Sequence, residues 1–410
     1  MTAFKKLWVI AYRDLGRNRR RSALTLLAVA LGLALLILMS SYIAGVVDGS
    51  ISDSILLSTG HVQVRSETYQ MEQTSLEWGD LLEDRGGLLA SATQIKGVVT
   101  AAPVLWARGY LTTAAETVGV RVTGIDPDSD FHAPIRSGLV AGQYLAAGDR
   151  GGVLVGKKLA DSLGIGAGSK ISLLVGTSNG EIDENVFTVR GTFSTGVLTY
   201  DESTIYMPLA KAQAITGAGD HISALILLTE DAGTAAPVAA ALRAPGRNVV
   251  TWEDMNALIL QGIGSAMSFY YLMYGIVILV VAVIIANTLL MSVFERTREL
   301  GILAALGMKA RQITAMILME AGVLALLGIL CGIIMGSLVV WYLSINGIPI
   351  GDQIASVAQG FAIRSVLYTK FVPAQIFGLS LAMLIIVLLG ALYPARFAAR
   401  LEPVEALHNL

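Results

Sequence analysis

Four stretches of this chain contain no Asp, Glu, Lys or Arg: Ser22–Val47, Met255–Phe294, Ala321–Gly351 and Phe371–Ala395. Each exceeds the roughly 20 residues a helix needs to cross the hydrocarbon core of a bilayer. One such window could be a buried core helix, but four of this length read as membrane spans. Composition agrees, with 54% of the 410 residues hydrophobic and 15% charged, against about 25% charged in soluble domains. A cleaved signal peptide would have an apolar region of about 7–15 residues and a small-residue cleavage site. The first window is longer and passes through "LILMSSYIAGVV" without an A-x-A pattern, so it is read as an uncleaved anchor.

Basic residues orient the spans. Lys5, Lys6, Arg13, Arg17, Arg19, Arg20 and Arg21 precede the first span. Arg296, Arg298, Lys309 and Arg311 lie between spans two and three, and Arg396 and Arg400 follow span four. Four crossings put all three segments on one side, which is therefore read as cytoplasmic, with both termini on it. The segment from Asp48 to about Ser265 carries 14 Lys/Arg against 24 Asp/Glu, and is read as a large acidic external domain. The single cysteine, Cys331, sits in span three, so that domain has no disulfide and must be held by its own core.

The expected order is as follows. Residues 1–21 form a cytoplasmic amphipathic helix, in which Phe4, Leu7, Trp8, Ala11, Tyr12 and Leu15 share a face. This helix lies in the membrane interface or packs on the spans' cytoplasmic ends, with Trp8, Arg19, Arg20 and Arg21 as interface anchors. Spans follow at 22–47, 266–294, 313–345 and 372–395, with a cytoplasmic helix at 295–308, a short external loop at 346–371 and a tail at 396–410. The external domain, 48–265, reads as mixed α/β. "GHVQVRS", "VGVRVTGI", "KISLLVG" and "NVFTVRGTF" alternate as half-buried strands, while "GLLASATQIKGV" and "AAPVAAALRAPG" read as short helices. A membrane-proximal part (about 48–105 and 222–265) is expected to flank an inserted, strand-rich part (about 106–221).

Motifs for chemistry mostly fail. "GGVLVGKK" (Gly151–Lys158) matches a phosphate loop until its eighth position, where Lys158 replaces the Ser or Thr that would hold Mg²⁺. It reads better as a strand entering a helix. "DPDSD" (Asp126–Asp130) opens like a calcium loop but has Phe131 where Gly is required and Ser137 where a bidentate Glu is required. His61, His132, His221 and His408 are scattered without metal-ligand spacing. No catalytic residue, metal site, cofactor or nucleic-acid interface is expected in this chain. Glu320 is the acid within the third span, just ahead of its uncharged window. It is either a functional intramembrane carboxylate or a headgroup-level acid paired with a basic residue where span two exits.

The most informative stretch is "SVFERTRELGILAALGMKARQI", Ser292–Ile313. Glu295, Arg296, Arg298 and Glu299 follow the uncharged second span, and their spacing allows pairs of Glu295 with Arg298 or Arg296 with Glu299. Leu300, Leu303 and Ala304 form an apolar stripe, and Gly307 ends the helix. This predicts a short amphipathic helix along the cytoplasmic surface, serving as a docking site or as a plain connector.

"FERTRELGILAALGMKARQI" resembles the cytoplasmic coupling segment of the FtsX/MacB/LolC–LolE permeases of ABC transporters. "YPARFAARLEPVEALH" (Tyr393–His408) is similar to that family's tail, and "RRRSALTLLAVALG" to its approach to span one. The resemblance covers the whole chain and implies an ABC transporter permease of the mechanotransmission type. It implies that a separate cytoplasmic ATPase dimer, carrying the ATP and Mg, docks on the coupling helix at Glu295, Arg296, Arg298, Glu299, Leu300 and Gly301. It also implies a second permease subunit, a copy or a paralogue, an external chaperone or adaptor, and location in the bacterial cytoplasmic membrane. About 21 residues precede the first span, whereas MacB-type chains carry a fused ATPase there, and FtsX has a smaller external domain. "GHVQVRSETY" and "VLVGKKLADSLGIGAGSKISL" resemble the lipoprotein-releasing permeases, implying extraction of lipoproteins or other amphiphiles from the outer leaflet. The hairpin "VGTSNGEIDENVF" (Val175–Phe187) lacks the proline and apolar tip of the subunit that recruits the chaperone. The alternatives are MacB-like export of drugs or peptides, and an FtsX-like scaffold controlling a cell-wall hydrolase.

Overall fold

The computed structural model describes residues 19–70, 73–83, 87–113, 116–350 and 364–400. Trp8, most of the 1–21 helix, residues 351–363 and residues 401–410 lie outside the described residues. The chain divides into two compact units. One comprises Met1–Val47, Ile263–Ile348 and Tyr368–Leu410; the other comprises Asp48–Gly262 with Pro349–Leu367.

The first unit is helical. Helices α1 (Arg19–Ser54), α4 (Ala257–Glu295), α6 (Ala310–Asn346) and α7 (Pro373–Ala399) are long and apolar enough to cross a membrane. A helix satisfies its own backbone groups, which a bilayer cannot do. Apolar side chains face both the neighbouring helices and the exterior: Leu33 and Ile37 are fully buried, while Leu24 and Leu35 are exposed. The shared core draws on all four helices, including Leu36, Ile285, Ala325 and Val387.

The seam between α1 and α6 is built on Gly328, Gly332 and Gly336, one turn apart. A Cβ on Gly332 would stand 2.8 Å from the Ala30 carbonyl oxygen, and one on Gly328 would stand 2.7 Å from Val29 Cβ. Small residues at this spacing let helix backbones approach closely where hydrophobic burial cannot drive association. The same signal is readable in "GILCGIIMG".

The second unit is the mixed α/β domain. Its ten-stranded sheet runs β10(Arg247–Thr251)–β1(Val62–Ser66)–β9(Ala224–Thr229)–β2(Val98–Thr112)–β3(Thr117–Ile125)–β8(Thr204–Pro208)–β5(Gly152–Gly156)–β7(Ile182–Phe193)–β4(Leu139–Gly142). Strand β6 (Lys170–Gly176) pairs with both β2 and β7, closing β2–β3–β8–β5–β7–β6 into a ring. Closure removes free edges. Phe187, Leu173, Val122 and Ile171 fill one core with helix α2 (Leu209–Thr216). A second core, of Val62, Leu225, Leu227 and Leu88, packs helix α3 (Ala235–Leu242). Strand β2 belongs to both.

All four alternating stretches are strands. One departs from the expected half-burial: every residue of β1 is buried, Gln63 and Arg65 included. Both are satisfied internally, Gln63 Nε2 donating to the Ser58 carbonyl at 3.1 Å and Arg65 Nε donating to Gln63 Oε1 at 2.8 Å. Alternation in "HVQVRS" thus separates two covered faces, because β1 is paired on both edges and its second face meets the Ile55–Thr59 turn that follows α1. "GGVLVGKK" is strand β5 followed by the six-residue helix Lys157–Ser162, on which Lys157 pairs with Asp161 at 2.5 Å.

Candidate functional site: the cytoplasmic helix and its brace

Helix α4 ends at Glu295, and Arg296, with φ −111° and ψ 15°, breaks the helical path. Thr297 secures the bend, its Oγ1 donating to the carbonyls of Val293 (3.1 Å) and Phe294 (2.9 Å). Helix α5 then runs Thr297–Ala305. It stops at Gly307 (φ +95°), whose N–H donates to Ala304 while Met308 N–H donates to Leu303, both at 3.0 Å. That is a Schellman cap, and a left-handed residue there is natural only for glycine. Lys309 N–H donates to Gln312 Oε1 at 2.8 Å and starts α6.

The helix has two faces. Leu300 is 4% exposed and packs with Val293, Ile313, Met316, Ile317 and Ala395, with Leu303 and Ala304 against them. The inner face therefore rests on the ends of α4, α6 and α7. The outer face presents Glu295, Arg298, Ile302 and Leu306 to the exterior, with Leu306 80% exposed. The six segment residues named from the sequence thus divide: Glu295 and Arg298 face out, Leu300 and Gly301 are buried, and Arg296 and Glu299 lie between. Of the anchors, Arg20 is exposed on the first turn of α1. Arg19 and Arg21 belong to the same turn.

Arg296 turns its guanidinium inward, with its side chain 15% exposed. Nε donates to Glu299 Oε2 at 3.1 Å, and Nη1 lies 3.6 Å from Glu320 Oε2. Glu320 sits on α6 and is 6% exposed. The pair lines a small cleft together with Leu289, Val293, Leu300, Met316 and Ile317. The acid within the third span and the arginine at the exit of the second are thereby brought together. Of the two pairings the spacing allowed, the structure shows Arg296 with Glu299.

Other candidate residues serve the fold. His61 Nδ1 accepts the Thr229 N–H at 3.0 Å, and His221 stacks on Trp78 with ring centroids 5.0 Å apart. His132 is buried among Phe131 and Tyr206. Among the described residues no group of three or more His, Cys, Asp or Glu could hold a metal ion. The Val175–Phe187 hairpin turns tightly, Thr177 N–H donating to the Glu181 carbonyl at 2.8 Å. Sequence reading missed a second buried carboxylate: Asp53, at the end of α1, receives Nε and Nη2 of Arg364 at 2.8 and 2.5 Å. The two lie 311 positions apart, and no local pattern links them.

Four apolar helices, a large α/β domain between the first two and a braced amphipathic helix between the second and third define a membrane permease with an extracytoplasmic domain. Residues 22–244 match the MacB-like periplasmic core domain and residues 271–403 the FtsX-like permease C-terminal domain. The first match alone spans more than half of the sequence, and the chain belongs to the FtsX/MacB/LolC family of ABC transporter permeases. The LolC lipoprotein-releasing transmembrane protein of Neisseria meningitidis is 24% identical, covering 95% of both chains. LolE of Haemophilus influenzae is 25% identical over 93% of both. The pyoverdine export ATP-binding/permease protein PvdT of Pseudomonas syringae is 26% identical over 97% of this chain and 58% of its own. The periplasmic region of MacB from Actinobacillus actinomycetemcomitans aligns with 51% of this chain at 11% identity, with a TM-score of 0.36.

Proposed function

We propose that this chain is the permease subunit of a mechanotransmission ABC transporter that extracts lipoproteins or related amphiphiles from the outer leaflet of the cytoplasmic membrane. The observation that carries the coupling is the outer face of α5. Ile302 and Leu306, exposed together where the inner face of the helix is already packed, form an apolar patch of the kind that marks a protein contact. The occupant is a separate ATPase dimer, which holds the ATP and Mg. Basic residues before α1, around α5 and at the end of α7 support a cytoplasmic position for both termini and for α5, with the acidic domain outside. A second permease, a copy or a paralogue, completes the transporter. The lipoprotein reading is supported by full-length alignment with LolC and LolE, and the tight Val175–Phe187 hairpin suits a subunit that does not recruit the chaperone. The second reading, export of small molecules with an adaptor, is favoured by the alignment of nearly the whole chain with PvdT.

The test is reconstitution with the ATPase in proteoliposomes. Lipoprotein is expected to stimulate ATP hydrolysis and to be released to a soluble carrier. Stimulation by a small amphiphile with none by lipoprotein would replace the first reading with the second. Arg298→Glu with Leu306→Glu is expected to abolish retention of the ATPase; retention unchanged would remove the docking role from α5.

A further inference from the structure

We infer that Glu320 is a positioning residue: through Arg296 it fixes the coupling helix α5 to span α6, so that a displacement of α5 is delivered to α6 rather than absorbed in the bend at Arg296. The inference rests on the docking role of α5 and adds the element by which that role reaches the membrane.

Three observations carry it. Helix α5 follows α4 through one non-helical residue, Arg296, and a bend of this kind is a natural hinge. Leu300 and its neighbours hold the inner face by apolar packing, which is non-directional and tolerates sliding. A polar contact across this packing is Arg296 with Glu320, both largely buried. A carboxylate at that depth is costly unless a cation meets it, and a charge pair specifies one arrangement where packing allows several. Arginine suits the task, because its planar fork can address Glu299 on its own helix and Glu320 on the span together. The hinge residue is therefore also the residue that locks the hinge.

The experiment uses the full chain in nanodiscs, with Cys331→Ser and spin labels on cysteines replacing exposed Ala305 of α5 and exposed Leu338 of α6. The wild-type pair is expected to give one narrow distance distribution. Glu320→Gln, which keeps the shape and removes the charge, is expected to lose it for a broad one. The reversed pair Arg296→Glu/Glu320→Arg is expected to restore the narrow distribution, which a residue that only fills space would not do. If Glu320→Gln fails to insert, Arg296→Lys serves, since it keeps the charge but cannot fork to two carboxylates; it is expected to broaden. A narrow distribution in either single variant overturns the inference, as does a reversed pair as broad as Glu320→Gln. Failure of the underlying reading looks different. The Arg298→Glu/Leu306→Glu chain would then retain the ATPase, whatever the labels report.

Discussion

Each unit of this protein buries a carboxylate against an arginine, and the two pairs are built differently. In the extracytoplasmic unit Asp53, with its side chain 2% exposed, takes both prongs of Arg364, whose own side chain is 46% exposed. In the helical unit Arg296 Nη1 lies 3.6 Å from Glu320 Oε2, and that arginine also donates to Glu299. A forked, short contact fixes distance and angle together. An arginine shared between two carboxylates ties the elements that carry them to each other. The first pair is a weld, in which the segment before α7 is held also by Ser365 N–H donating to the Gly196 carbonyl at 3.1 Å. The second is a brace between two helices.

The largest expected effect tests the weld. Arg364→Ala leaves Asp53 buried without its cation and is expected to destabilise by about 2–4 kcal/mol, part of the full penalty for an uncompensated buried charge being relieved by solvent. Asp53→Asn leaves an arginine that water can reach and is expected to cost less. Thermal unfolding of the purified chain measures both, and equal effects would show that burial of Asp53 is not what matters. Next comes the seam that fixes α1 to α6. Gly332→Val is expected to cost about 1–3 kcal/mol through forced separation of the helices, whereas Gly275→Ala, which meets nothing within 4 Å, is expected to be neutral or slightly stabilising.

The smallest effect concerns acid. Burial first, and then nearby Arg136, holds the His132 imidazole down to about 3, and burial lowers His61, whose Nδ1 is occupied by a backbone N–H. A histidine that binds its proton more weakly when folded stabilises the fold fully above the unfolded value, about 6.5. That contribution is lost as pH falls from there toward about 3. Melting temperatures of the full chain are expected to fall between pH 7 and pH 5, and His132→Phe to flatten the slope. A slope unchanged by the substitution would place the sensitivity elsewhere.

What was legible in the sequence followed from periodicity and from missing charge. Uncharged windows exposed the four long helices, two-residue alternation exposed β1, β3, β6 and β7, and the charged turn after Phe294 exposed α5. The inward and outward faces of α5 were half legible: the stripe of Leu300, Leu303 and Ala304 does face inward, but nothing local said that Arg296 would turn in with it. That depends on Glu320, on the next long helix in sequence but in contact in space. Its pairing with a basic residue where span two exits was one of the two readings the sequence left open, whereas the pairing of Asp53 with Arg364 depends on a still longer return of the chain. Side-chain pairing at long range is a property of the tertiary fold, and residue spacing does not encode it. The closed ring of strands escaped for the same reason, since β6 reveals itself as a strand but not as one with two partners.

Strand β2 has a consequence of its own. Fifteen residues of extended strand, at about 3.3 Å each, reach about 50 Å, and the two halves pack against different cores. Extended chain cannot lengthen, and the ladders on both flanks keep it from buckling. The domain is therefore geared as one body: a tug on the α3 end must arrive, undiminished in length, inside the ring.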